Sequence, residues 1–150
     1  MKRISLILLI ILPVLISCKK EDDYRDRDDE IIRNYLEAEG LTAQKSASGL
    51  YYIIENPGNF PKPTINSVVI VHYSGMLTNK KVFDSTTGDN PARFPLSGVI
   101  DGWKEGIQYF GEGGSGWLFI PSHLGYGSTI QPGIPANSVL IFQIHLIKVE

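Results

Sequence analysis

Five aromatic side chains, Tyr73, Phe83, Trp103, Tyr126 and Phe142, fall in five separate predicted elements of the chain. Brought together they would line one apolar pocket; otherwise they are ordinary core, and periodicity alone leaves both readings open. Other chemistries find less support. The glycine run GEGGSG (111–116) lacks the Lys-Ser/Thr of a phosphate loop and leads into a strand, so it offers an anion no helix N-terminus. His72, His123 and His145 are far apart, without metal-ligand spacing, and His145 alternates outward on a strand. No GxSxG elbow is present. Asp84, Asp101 and Glu105 sit among apolar residues, with no second feature to mark a paired-carboxylate site. No metal and no cofactor is expected.

The elements that would carry these residues are mostly strands. LYYIIE (50–55) reads as a strand ended by the turn-rich NPGNFPKP, and Val68 to Met76 as a longer one. Short strands are expected over Val82–Asp84 and Phe94–Leu96, around the loop STTGDNPAR, and WLFIP (117–121) follows GEGGSG. From Ser138 to Val149, Leu140, Phe142, Ile144 and Leu146 share one face opposite Gln143 and His145, the pattern of a strand covered on one side. Val99 to Phe110 breaks this pattern, because Val99, Trp103, Ile107 and Phe110 recur at helical spacing. A second short helix is expected over 29–39, capped by Asp28 or Asp29 and closed at Gly40, with Ile31, Ile32, Tyr35 and Leu36 as its apolar face. The fold class is α+β, an antiparallel sheet packed on a helix.

The 150 residues suffice for one domain. A formal charge of −2 argues against a basic nucleic-acid groove. Met1-Lys2-Arg3 followed by the apolar run Ile4–Ile16 has the form of a signal peptide and is short for a membrane span. Leu15-Ile16-Ser17-Cys18 resembles the bacterial lipobox, which implies removal of residues 1–17 and a lipid on Cys18, holding the protein to a membrane of the cell envelope, facing the periplasm or the outside. As Cys18 is the single cysteine, no intramolecular disulfide can form. Residues 19–30, KKEDDYRDRDDE, contain no aliphatic side chain, so 18–28 reads as a lipidated cysteine on a charged, disordered tether, followed by a short helix and link over 29–49.

VHYSGMLTNKKVFDST (71–86), VIDGWKEGIQYF (99–110) and IPSHLGYGSTIQPGIPANSVLIFQIHLIKVE (120–150) resemble the FKBP-type peptidyl-prolyl cis–trans isomerases, the macrolide-binding immunophilins. The resemblance covers about residues 50–150. It implies a strongly twisted antiparallel sheet wrapped around one short helix, to which the N-terminal helix is an addition. It also implies catalysis of X–Pro rotation in exported proteins, with proline-containing polypeptides as partners and macrolides as inhibitors. Carried over by position, Trp103 resembles the indole that floors the pocket, and Tyr73, Phe83 and Phe142 its aromatic walls. Val99 and Ile100 resemble the segment before the helix, where the Ile100 N–H meets a substrate carbonyl. Tyr126 resembles the hydrogen-bonding phenol, Asp84 the pocket-edge carboxylate, and Ile134 the apolar lip. Ala92, Gln131 and Ala136 depart from the common family pattern, all on the rim. The alternative reading is a module that grips proline segments as a chaperone or docking unit with little catalysis. A helix confined to 29–39 is too short for the dimerising arm of some relatives, which implies a monomer.

Overall fold

The computed structural model describes the backbone of residues 17–150 and the side chains of 24–150. The signal segment expected over 1–17 lies outside the described residues apart from the backbone of Ser17, as does the Cys18 side chain. In chain order the elements are α1 (Ser17–Ala38), β1 (Gln44–Lys45), β2 (Tyr51–Asn56), β3 (Val68–Leu77), β4 (Val82–Ser85), β5 (Ala92–Pro95), α2 (Asp101–Gly106), β6 (Ser115–Ile120) and β7 (Leu140–Val149). Short 3₁₀ turns occupy 96–98, 107–109 and 122–124.

All seven strands form one antiparallel sheet in the order β1-β2-β6-β7-β3-β4. β5 also pairs with β3, so β4 and β5 share its outer edge in succession. Period-2 alternation turns Val69 and Val71 of β3, Leu118 and Ile120 of β6, and Leu140, Phe142, Ile144 and Leu146 of β7 toward α2, in a core with Leu50, Trp103, Ile107 and Phe110. Two glycines let α2 lie close on β6. A Cβ at Gly102 would stand 2.6 Å from Ile120 Cγ2, and one at Gly106 2.6 Å from Leu118 Cδ2, well inside van der Waals contact.

The reverse face of the sheet is covered as well. Ile32 and Leu36 of α1 pack on Tyr51, Phe119, Val139 and Ile141, with Tyr35 6.1 Å from the Phe119 ring. β7 is therefore buried on both sides over its first residues, where the sequence pattern implied cover on one. His145 does face solvent.

The N-terminal helix departs furthest from expectation. It runs Ser17–Ala38 rather than 29–39, so the segment read as a disordered tether is helical from Ser17. Asp28 and Asp29 lie inside it and bond to distant parts of the fold instead of capping its start. Asp28 is completely buried, while Asp29 accepts from Tyr51 Oη at 2.7 Å and Lys45 Nζ at 2.6 Å. Burial alone would raise the Asp29 carboxyl, but these donors and the charges of Lys45 and Arg33 hold it below the ordinary carboxylate range. With 22 residues in α1, the brevity that implied a monomer is gone. β1 adds a two-residue strand within the polar link, and Leu96, expected to end a strand, instead begins a 3₁₀ turn.

Candidate active site

β3 and β7 run side by side with Tyr73 opposite Ile144 and Gly75 opposite Phe142, which sets two pocket rings on the inner face. β4 pairs Asp84 with Gly75, placing Phe83 and Asp84 at the open edge. α2 starts directly after Ile100 and buries Trp103 in its first turn beneath them. The loop between β6 and β7 returns over the cavity with Tyr126 and Ile134.

The cavity these elements enclose is about 510 Å³, a volume suited to a small ring or a short peptide segment. All nine pocket residues expected from the sequence line it: Tyr73, Phe83, Asp84, Val99, Ile100, Trp103, Tyr126, Ile134 and Phe142. The rings meet edge to face: the Trp103 centroid lies 5.2 Å from Tyr73 at 88° and 5.3 Å from Phe142 at 80°, and Phe83 lies 5.6 Å from Phe142 at 81°. Such contacts hold each ring at a fixed angle and build a rigid apolar wall.

Gln131, expected on the rim, lines the cavity too, together with Phe94, Gly98 and Pro132, which were not among the residues expected there. Phe94 closes the far wall, 5.7 Å from Trp103 and 6.1 Å from Tyr73. A signal for it exists in the alternation of Ala92–Pro95, which half-buries Ala92 and Phe94 and exposes Arg93 and Pro95.

The polar groups are few, and apart from the buried Trp103 Nε1–H, which has no acceptor among the described residues, they lie at the rim. Tyr73 Oη donates to Asp84 Oδ2 at 2.5 Å. Burial, the hydrogen bond and the neighbouring negative charge raise the Tyr73 phenol far above its ordinary value, so it stays a neutral donor. Among the described residues the Ile100 N–H has no acceptor, and neither does the hydroxyl of Tyr126, a residue 37% exposed. These are two free donors among the residues lining an apolar hollow. The helix beneath is fastened from behind. Glu105 accepts from Ser48 Oγ at 2.6 Å and from Tyr109 Oη at 2.7 Å, and burial together with that bond raises the Tyr109 phenol to about 12. The histidines lie apart from the pocket: His72 bonds Thr86 and His123 bonds the Ser48 carbonyl. Among the described residues no three His, Cys, Asp or Glu side chains gather around a common point.

Residues 61–147 match the family model for FKBP-type peptidyl-prolyl cis-trans isomerases. The chain belongs to that family. It is 39% identical over 125 residues to the FKBP-type peptidyl-prolyl cis-trans isomerase FkpA of Aeromonas hydrophila, an alignment covering 83% of this chain and 46% of that protein. The crystal structure of FkpA from Escherichia coli superposes with a TM-score of 0.75 at 35% identity, covering 88% of this chain and 63% of the other. A peptidyl-prolyl cis-trans isomerase from Pseudomonas syringae pv. tomato gives a TM-score of 0.71 at 31% identity, covering 86% and 95%. The chain spans about half the length of the curated relatives it matches. The matched family segment contains every pocket residue but begins beyond α1, β1 and β2, which are therefore outside it.

Proposed function

We propose that this chain is a peptidyl-prolyl cis–trans isomerase that accelerates X–Pro rotation in exported polypeptides, as a folding catalyst tethered to the bacterial envelope by lipid on Cys18. The observation that carries the catalytic reading is the cavity itself: a Trp103 floor, rigid aromatic walls, and the free donors of Ile100 and Tyr126 at the rim. The lipid anchor rests on the lipobox-like residues 15–18 and the apolar run before them.

The reaction requires no nucleophile. Rotation about the peptide bond meets a barrier of roughly 18–20 kcal/mol set by amide resonance, and X–Pro exchange takes tens to hundreds of seconds unaided. The planar amide carries a large dipole that water stabilises, whereas the twisted amide has less charge separation. Moving the prolyl amide into the apolar cavity disfavours the planar state more than the twisted one. The Tyr126 hydroxyl and the Ile100 N–H then hold the flanking chain on one side while the other rotates. Asp84, oriented by Tyr73, fixes the polar edge against which the peptide aligns. A thousandfold acceleration needs about 4 kcal/mol, within reach of desolvation plus two or three positioned hydrogen bonds.

A protease-coupled assay on an X–Pro peptide, with and without a macrolide inhibitor, tests this. Saturable isomerisation suppressed by the macrolide is expected. Peptide binding without acceleration would instead establish a proline-binding chaperone or docking module. For the anchor, mass spectrometry of the membrane fraction should find acyl chains on Cys18, and an unmodified Met1 terminus would overturn it.

A further inference from the structure

The loop that carries Tyr126, Gln131, Pro132 and Ile134 runs from Ser122 to Asn137, and both of its ends are gripped by α1. The buried Asp28 carboxylate accepts from Ser122 N–H at 2.8 Å and from Ser122 Oγ at 2.5 Å through a single oxygen, Oδ2. Its other oxygen accepts from Arg27 Nε at 3.0 Å, and Arg27 Nη2 donates to the Asn137 carbonyl at 2.5 Å. Inside the loop the Ser122 carbonyl accepts from Gly127 N–H at 2.8 Å, and the Gly127 carbonyl accepts from Asn137 N–H at 2.7 Å. These bonds close a ring, from Asp28 through Ser122, Gly127, Asn137 and Arg27 back to Asp28, with Tyr126 next to one of its members. A buried carboxylate bonded this way has little freedom to shift, because any movement leaves donors unpaired in a dry site.

We infer that Asp28 and Arg27 are positioning residues for the pocket: α1, from outside the matched family segment, sets the height and angle of the loop that holds Tyr126 and Ile134 over the cavity. The pair touches no substrate and acts through Ser122 and Asn137. The catalytic consequence rests on the isomerase reading above; the mechanical one does not.

Asp28→Ala, Asp28→Asn, Arg27→Met and Ser122→Ala in the full chain test this, with Glu30→Ala as a control on the exposed face of the same helix. Two readouts are needed: amide hydrogen exchange resolved by residue, and peptide isomerisation. Asp28→Ala should speed exchange at the Gly127, Ile134 and Asn137 amides by at least about tenfold, with the amides of β3 and β7 still protected. It should lower kcat/KM by about ten- to a hundredfold, as expected for a displaced contact group. Asp28→Asn, which keeps one acceptor oxygen, should recover part of both, and Glu30→Ala should match the wild type. Unchanged loop exchange in Asp28→Ala, or protection lost evenly through the sheet, overturns the proposal. If Asp28→Ala does not fold, Arg27→Met and Ser122→Ala decide by the same criteria. A wild-type chain that fails to isomerise the peptide would refute the isomerase reading, while the exchange result would still decide the loop's support.

Discussion

Gly75 is the position where one added methyl group reports on the whole pocket. It faces inward from β3, opposite Phe142 and beside the β4 residues Phe83 and Asp84. A Cβ there would lie 2.6 Å from Phe142 Cε1 and 2.7 Å from Phe83 Cε2, whereas ordinary contact begins at 3.4 Å. Gly75→Ala therefore asks two rings to retreat by 3.4 − 2.6 = 0.8 Å and 3.4 − 2.7 = 0.7 Å. Neither has an easy path, since Phe142 already meets Trp103 at 5.3 Å and Phe83 leans on Phe142 at 5.6 Å. Replacing glycine restricts the unfolded chain and favours folding by about 0.4–1 kcal/mol. Overpacking opposes this by about 1–3 kcal/mol, so the net effect is destabilising and the melting midpoint should drop by several degrees. Activity should suffer more than stability, because displacements approaching 1 Å at a reacting centre reach about a hundredfold in rate. The assay is kcat/KM on an X–Pro peptide beside a thermal melt. Wild-type kcat/KM in a folded Gly75→Ala protein would refute the idea that ring position in this cavity controls turnover.

Two further predictions concern titratable groups. Asp84→Ala removes the acceptor and the charge that burial adds to in raising Tyr73, so an ultraviolet titration should find the Tyr73 phenol moved back toward its ordinary value, with isomerisation reduced in a folded protein; an unmoved phenol would show that the bond is not made. At Glu105, burial raises the carboxyl but hydrogen bonds from Ser48, Ser46 and Tyr109 outweigh it and the net shift is downward, so its stabilisation is full above the unfolded value near 4.5 and fades as pH falls below that. Glu105→Gln should therefore flatten the acid limb of melting temperature against pH, and equal slopes in both proteins would contradict the assignment. Tyr109 mirrors it: raised to about 12, it contributes fully below pH 10.0 and loses that contribution as pH climbs through its folded value.

The inner layer of the fold was legible because each of its elements announces itself by apolar spacing. β7 alternates over Leu140–Leu146, and the Val99–Phe110 stretch shifts to helical spacing despite Gly102 and Gly106, which weaken a helix by propensity but allow it to lie against Ile120 and Leu118. The pocket aromatics alone could equally have been core, and in the structure they are both: Trp103 and Phe142 are nearly fully buried and still form the cavity wall. What assigned them to a pocket was the family pattern, and that pattern gave no reason to include Phe94 from the edge strand β5.

The N-terminal segment escaped for the opposite reason. KKEDDYRDRDDE has no aliphatic residue, so any reading based on hydrophobic burial assigns it to solvent. Its order comes instead from polar bonds made across the fold. Asp28 reaches Ser122, 94 positions away, and Asp29 reaches Tyr51, 22 positions away. A carboxylate with buried donors waiting for it is a strong local constraint, yet nothing in the composition of its own segment separates it from the solvated acids beside it. The apolar anchors Ile32 and Leu36, a turn further on, bring the helix to the sheet; Asp28 and Asp29 then set where along the sheet it comes to rest. Burial energy thus explains why a helix lies on this face, and polar specificity explains why it lies close enough to Ser122 and Asn137 to reach the rim of the pocket.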